Sequence, residues 1–93
     1  MIIFEVKDKT GRSIYLTLER WNHIIKHPEM QETIREIEKA LDLPQKMTLH
    51  KYDENIRNYY LLLKEKKKFL KVIVKYLNGK GFIITAYLVE YIQ

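Results

Sequence analysis

The chain has 93 residues, of which 46% are hydrophobic and 31% are charged, a balance typical of one folded domain rather than of a disordered chain. No apolar run approaches the roughly 18 residues of a membrane span, and the absence of cysteine excludes disulfides and thiolate metal ligands. The net charge of +5 favours an anionic partner such as RNA, DNA or an acidic protein. The first residues, Met1 to Glu5, are typical of a strand rather than of a signal peptide, so we expect a cytoplasmic protein.

The first half of the chain predicts a β-hairpin followed by two helices. Apolar and β-branched residues predict strands over Ile2–Lys7 and Ser13–Thr17, on either side of a turn cluster. A short helix is predicted over Glu19–Lys26, with its N-cap near Thr17, and the proline that follows ends it. Apolar residues at i, i+4, i+7 and i+11 then predict a second helix, from about Glu29 to Leu41.

The second half of the chain predicts four strands joined by short turns. They span Lys46–Tyr52, Asn58–Lys64, Phe69–Leu77 and Phe82–Val89. The order β-β-α-α-β-β-β-β predicts a single α+β domain over residues 1–93. Its antiparallel sheet would combine a four-stranded C-terminal meander with the N-terminal hairpin, and the two helices would pack on one face.

A three-residue loop at residues 78–80 would bring the more apolar sides of the last two strands to the same face. With this loop, Val74 pairs with Ile84 on the helix side, and Lys71 pairs with Tyr87 on the open side. The loop length therefore decides which side chains of these strands are exposed together.

The same parity predicts the composition of the open sheet face. If Tyr60 and Leu62 join the core, six polar or aromatic side chains remain on the open side. They are Arg57, Tyr59, Lys71, Lys75, Thr85 and Tyr87. Cations, phenols and a hydroxyl on one surface suit a phosphodiester backbone with bases stacked nearby, and a solvated strand face is the other interpretation.

The short helix carries much polar chemistry along one edge, where Arg20, His23 and His27 lie three and four residues apart. Three interpretations stay open. The histidines could cap or hydrogen-bond the helix end, or the pair at i, i+4 could bind one metal ion. They could also contact phosphate and transfer protons, since imidazole titrates near neutrality. A metal site would need a third ligand from Glu19, Glu29 or His50.

Four motifs and the amphipathic helix between them carry a family resemblance. The motifs are Glu19-Arg20-Trp21-x-His23-Ile24-x-x-His27-Pro28-Glu29, Tyr59-Tyr60, Lys71-Val72-Ile73-Val74-Lys75 and Ile84-Thr85-Ala86-Tyr87. Together they resemble the phage-associated branch of the barnase/EndoU/colicin/RelE-like ribonuclease fold, over roughly Thr17 to Tyr87. The resemblance implies a metal-independent endoribonuclease of toxin or phage-defence type, with no cofactor, RNA as substrate and a cognate antitoxin protein as a candidate partner. It also implies helices on one face of the sheet and the active site on the other.

The resemblance also implies site residues, position by position. The catalytic residues would be His23, His27, Arg57, Lys75 and Thr85. The resemblance also points to Tyr87, and we predict the substrate-binding residues to be Arg20, Tyr59, Lys71 and Tyr87. In this hypothesis a histidine, His27 before His23, is the general acid or base, and Arg57 and Lys75 bind the scissile phosphate. Thr85 would position the phosphate and a tyrosine would stack on a base, while some members of the fold use lysine or arginine for proton transfer.

Two functions other than catalysis stay open. A non-catalytic RNA-binding module on the same scaffold would bind RNA in a salt-dependent way and release no product. A protein-interaction domain would use the edge of the histidine-bearing helix as its contact surface. The oligomeric state is also open, because an edge strand such as Lys46–Tyr52 could pair with a second copy.

Overall fold

A computed structural model describes residues 1–92 and contains six strands and two α-helices in the order β-β-α-α-β-β-β-β. The strands are β1 (Ile2–Lys7), β2 (Ser13–Thr17), β3 (Lys46–Leu49), β4 (Ile56–Leu63), β5 (Lys68–Leu77) and β6 (Lys80–Val89). The helices are α1 (Leu18–Ile24) and α2 (Ile34–Asp42), with a single 3₁₀ turn, Pro28–Met30, between them. The predicted α+β class is confirmed. Neither helix in this range is long and apolar enough to cross a membrane.

The six strands form one sheet in the order β1-β2-β6-β5-β4-β3. It differs from the predicted antiparallel sheet in one detail, because β2 and β6 run parallel and pair only at Ile14–Gly81 and Tyr15–Phe82. The parallel pairing is short because the chain passes directly from β2 into α1, where the Thr17 hydroxyl accepts the amide of Arg20 as an N-cap. Within residues 1–92, no strand lies along this edge of β6 beyond Phe82.

Both helices pack on the same face of the sheet and enclose one core. α1 lies against β6 and β2, and α2 lies against β4, β5 and β1. The helix side chains that are fully or almost fully shielded are Ile24, Ile37, Ala40 and Leu41, joined by Met30 of the 3₁₀ turn. Because this face is occupied, the opposite face of the sheet is open.

The helix predicted over Glu29–Leu41 is shorter than expected. Its first residues form the 3₁₀ turn instead, and α2 begins only after Thr33. The hydroxyl of Thr33 donates to the carbonyl of Met30 at 2.6 Å, a local side-chain bond that competes with a continuous helical ladder. The break leaves the residues around Pro28 as a separate segment between the helices.

A two-residue turn joins β5 to β6, in place of the predicted three-residue loop. Asn78 and Gly79 have φ angles of 54° and 79°, as a type I′ turn requires, and Leu77 pairs with Lys80 across them. Asn-Gly is the dipeptide most suited to this geometry, so the strands continue to the turn itself.

A β-bulge compensates for the shorter turn. Val74 pairs with Ile83, and the predicted pairing with Ile84 is wrong. Ile84 is the extra residue of the bulge, and it shifts the register back by one. Farther along the strands, Lys71 pairs with Tyr87 as predicted.

Strand β4 presents the opposite side chains to those predicted. Arg57 and Tyr59 pair with core residues of β5 and lie on the helix side, so their predicted place on the open face is wrong. Tyr60 and Leu62 lie on the open side instead. The sequence IRNYYLLL is apolar at consecutive positions, so alternation does not determine which side is buried.

Candidate functional site

A pocket of about 740 Å³ lies where three parts of the chain meet: the segment after α1, the β4–β5 hairpin, and the part of β6 that pairs with β5 alone. Its lining residues are His27, Glu29, Lys66, Lys68, Thr85, Tyr87 and Leu88. Thr85 and Tyr87 belong to the open face of the sheet, whereas Leu88 belongs to the helix side. Side chains of both faces reach one pocket because no strand among residues 1–92 covers this edge of β6.

His27 is placed by the break in the helical region. α1 ends at Ile24, and the amide of His27 donates to the carbonyl of Ile24 at 3.3 Å before the chain turns extended. The Nδ1 atom of His27 lies 3.8 Å from Oε1 of Glu29, and both side chains are more than half exposed. At this distance the two side chains form no hydrogen bond, and both are accessible to a ligand in the pocket.

The β4–β5 hairpin brings two ammonium groups to the same pocket. Lys66 donates from Nζ to the main-chain carbonyl of Glu29 at 2.7 Å, so the hairpin is tied to the segment that carries His27. Lys68 opens β5 beside it. Two lysines against one glutamate make the pocket positive even when the imidazole is neutral, which favours an anionic ligand.

Lys71 continues the positive charge from the pocket onto the open face. Its Nζ lies 5.7 Å from the ring centroid of Tyr87 and 5.7 Å from that of Tyr60. Cross-strand pairing places Lys46 beside Tyr60, Tyr60 beside Lys71 and Lys71 beside Tyr87. We call these four residues the Lys–Tyr row. Tyr60 is only 1% exposed, so Tyr87 is the ring of this row that can stack on a base, while the lysines can meet phosphates.

The pocket joins three of the predicted site residues, namely His27, Thr85 and Tyr87. Lys71 adjoins them through the ring of Tyr87. Lys75 also lies on the open face, but it forms an ion pair with Asp53 at 3.4 Å and is not a lining residue. Glu29 was considered from the sequence only as a metal ligand. The two lysines of the pocket were missed, because a Lys-rich turn ordinarily indicates only a solvated hairpin.

The remaining predicted residues lie elsewhere. Arg20 and His23 are exposed on α1 and do not line the pocket. Arg57 and Tyr59 are separated from it by the sheet, since they lie on the helix side of β4. Arg57 is also six residues from the hairpin end of β4, or about 20 Å at roughly 3.3 Å per strand residue. The structure therefore does not bring Arg57 to the phosphate that His27 would contact.

A buried polar network on the helix side was not predicted either. Asp8 is 5% exposed and accepts hydrogen bonds from the hydroxyls of Tyr76 and Thr10 at 2.6 and 2.7 Å. The amides of Thr10 and Arg12 also donate to it, and the hydroxyl of Tyr59 lies 3.3 Å away. The hydroxyls of Tyr59 and Tyr76 are bonded to each other. The sequence shows only a turn cluster here, which does not reveal the distant tyrosines.

Burial and hydrogen bonding act in opposite directions on this network. Burial alone would raise the pKa of Asp8, but the bonds from Tyr76, Thr10 and Arg12 outweigh it and lower that pKa. Burial raises the pKa values of Tyr59 and Tyr76. The network is therefore one carboxylate surrounded by donors, and its tyrosines are held as neutral phenols.

Within residues 1–92, no group of three or more histidine, aspartate or glutamate side chains is arranged to hold a metal ion. Comparison with protein-family models, with curated proteins and with solved structures found no match to this chain.

Proposed function

We propose that the protein is an endoribonuclease that cleaves RNA without a metal ion and uses the pocket around His27 as its active site. The observation that carries the proposal is the meeting of an imidazole, a carboxylate and two ammonium groups in one pocket, beside a tyrosine that can stack on a base. RNA self-cleavage needs a group to accept the 2′-hydroxyl proton, a group to protonate the leaving 5′-oxygen, and cations for the developing charge. The pocket has a candidate for each of these roles.

In the proposed reaction, Glu29 accepts the proton of the 2′-hydroxyl while the 2′-oxygen forms a bond to the adjacent phosphorus. The bond from phosphorus to the 5′-oxygen breaks, and protonated His27 gives its proton to that oxygen. An ionised carboxylate can only accept, and an imidazolium can only donate, so the 3.8 Å pair is suited to opposite roles. The products are a 2′,3′-cyclic phosphate and a 5′-hydroxyl end.

The cations and the last strand would hold the substrate during this reaction. Lys66 and Lys68 stabilise the extra negative charge on the phosphorus-bound oxygens. Thr85 donates a hydrogen bond to the phosphate, and Tyr87 stacks on a neighbouring base. Lys71, next to Tyr87, would contact the following phosphate.

The decisive experiment is incubation of the purified protein with total RNA in the presence of EDTA. We expect fragments with 2′,3′-cyclic phosphate ends. His27→Ala should lower the cleavage rate by about 10²- to 10⁴-fold, the usual contribution of a proton-transfer group. His23→Ala is the matched control, because the same residue type lies four positions earlier on α1 and does not line the pocket. Its rate should be unchanged.

Equal rates for the two variants would overturn this active-site assignment. Saturable RNA binding without product would instead identify a non-catalytic RNA-binding module, for which the Lys–Tyr row would be the binding surface. Expression in a bacterial host tests the proposed role as a toxin or phage-defence effector. The wild type should arrest growth unless a cognate antitoxin is supplied, and His27→Ala should not.

A further inference from the structure

A second pocket lies at the opposite end of the strands, on the helix side of the sheet. Its volume is about 290 Å³, and it shares no lining residue with the pocket around His27. The residues that line it are Arg12, Leu49, Glu54, Asn55, Arg57 and Tyr76. They come from the β1–β2 turn, the end of β3, the β3–β4 loop and the facing strands β4 and β5.

Two arginines of this pocket lie against one aromatic ring. The guanidinium carbon of Arg57 is 4.9 Å from the centroid of the Tyr76 ring, and that of Arg12 is 5.3 Å from it. Guanidinium groups placed against an aromatic ring are partly desolvated and held in orientation. The ring therefore presents two cations to the same small space.

Neither guanidinium is held in an ion pair with a carboxylate. Among residues 1–92, Arg12 and Arg57 form no ion pair, and the buried Nε atom of Arg57 has no hydrogen-bond partner. Asp8 is close in the chain to Arg12, but it accepts its hydrogen bonds from Tyr76, Thr10 and the Arg12 amide and from neither guanidinium. Because Nε is shielded from solvent, a ligand in the pocket would meet the Arg57 guanidinium at its terminal nitrogens.

The ring that both arginines contact is itself fixed. Tyr76 donates its hydroxyl to Asp8 at 2.6 Å and is bonded to Tyr59. Gly81 lies against the ring so closely that an added Cβ would be 3.0 Å from its Cε1 atom. The ring thus stays in place whether or not a ligand is present, as a preorganised binding site requires.

We propose that this second pocket binds a phosphate group through Arg12 and Arg57. Two planar guanidinium forks match the oxygens of a phosphate, and a volume of about 290 Å³ holds one phosphate with a small substituent rather than a folded partner. Glu54 lines the same pocket and opposes anion binding, so it tunes the affinity of the site downward. The phosphate could belong to a free nucleotide or to an RNA strand, and the two sources differ in the test below.

The test is a titration of the ¹⁵N-labelled protein with inorganic phosphate at constant ionic strength, followed through the Nε–H signals of the arginines. We expect saturable shifts at Arg12 and Arg57. Arg12→Gln should weaken phosphate binding at least tenfold, and because Arg12 is exposed its loss should leave the fold intact. Arg20→Gln removes the same charge from an exposed site outside both pockets and should bind phosphate like the wild type.

Glu54→Gln should have the opposite effect on phosphate affinity, since removal of the carboxylate should strengthen phosphate binding. The proposal would be overturned by shifts that do not saturate, or by equal phosphate affinity in the Arg12→Gln and Arg20→Gln proteins.

Titrations with AMP and with a short RNA distinguish the two sources of the phosphate. Both use the His27→Ala protein, so that the RNA stays intact. If AMP shifts the arginine signals and the short RNA does not, the pocket is a nucleotide site. An RNA that shifts them together with the Tyr87 signal supports a second contact for the RNA strand. Because the titration reads binding at Arg12 and Arg57, its outcome does not depend on whether His27 is catalytic.

Discussion

Two adjacent tyrosines of β4 are both buried, yet their hydroxyls have opposite surroundings. Tyr59 bonds to Tyr76 and lies 3.3 Å from Asp8, whereas the Tyr60 hydroxyl is buried and has no hydrogen-bond partner within residues 1–92. A buried hydroxyl with a hydrogen-bond partner stabilises the fold. A buried hydroxyl without a partner destabilises the fold, because its lost hydrogen bonds to water are not replaced.

Removing each hydroxyl should therefore have different consequences. Tyr59→Phe should lower the free energy of unfolding by about 1 kcal/mol, while Tyr60→Phe should leave it unchanged or raise it by up to about 1 kcal/mol. Urea denaturation of both variants measures the difference, and each serves as the control for the other. A loss in Tyr60→Phe as large as that in Tyr59→Phe would contradict the assignment of Tyr60 as unpartnered.

Asp8 links stability to pH through its lowered pKa. A carboxylate whose pKa is lowered in the folded state stabilises fully above its ordinary pKa of about 3.9, and this contribution is lost as the pH falls below that value. Asp8→Asn should lower the free energy of unfolding by about 1–3 kcal/mol at pH 7 and reduce its decline between pH 5 and pH 2.

The measurement is urea denaturation at several pH values. Asp42→Asn removes the same charge from an exposed position at the end of α2 and should keep the acid dependence of the wild type. If Asp8→Asn also kept that dependence, the network around Asp8 would not be the source of acid sensitivity.

At the scale of elements, the β5–β6 hairpin combines a tight turn with a bulge. Its turn needs positive φ at Asn78 and Gly79, and only the second position has no side chain. Gly79→Ala should lower the free energy of unfolding by about 1 kcal/mol, because an alanine Cβ is strained at this φ angle. Asn78→Gly is the control, and it should change stability by no more than a few tenths of a kcal/mol in thermal unfolding. Equal losses in the two variants would exclude a specific need for glycine at position 79.

The ends and buried sides of the strands were predictable where the side-chain pattern was clear. β1 and β2 end at the residues that the sequence predicts, because turn residues punctuate them. The buried side of β4 was predicted wrongly, because Tyr59-Tyr60-Leu61-Leu62 is apolar on both sides of the strand. Pairing within the sheet, and not local alternation, decides which side is buried. The bulge at Ile84 left no local signal, because an extra apolar residue looks like a continuing strand.

The candidate site was predictable only where the segment after α1 and strand β6 carry it. His27, Thr85 and Tyr87 stand out in the sequence and meet in the pocket. Lys66 and Lys68 were not predicted, because their meeting with His27 depends on β2 leaving β6 early, which is a property of the assembled sheet. Arg57 was predicted on the wrong face for a different reason, since its orientation follows the pairing of β4 with β5 and not the local sequence pattern.

At the scale of the whole molecule, the positive charge is distributed over the pocket and the Lys–Tyr row. Lys71→Met, introduced into His27→Ala protein to prevent cleavage, should weaken RNA binding and reduce the slope of log K against log salt by about 0.7, the value for one phosphate contact with a single strand. Lys39→Met on α2, at an exposed position on the helix side, is the control and should leave the slope unchanged. A slope that falls equally in both would indicate a general charge effect rather than a contact at Lys71.

Because β2 pairs with β6 over only two residues, part of the main chain of β6 remains available to a ligand. Along Thr85 to Leu88, one side of the β6 main chain faces the pocket region with amides and carbonyls that no strand among residues 1–92 engages. Main-chain amides and carbonyls of this kind are free to hydrogen-bond a ligand without any side chain, and substitution leaves them in place. Replacement of Lys66, Lys68 and Tyr87 would thus remove charge and stacking while a fixed pattern of donors and acceptors remained. Only a change in strand geometry, such as loss of the bulge at Ile84, would change the positions of these main-chain donors and acceptors.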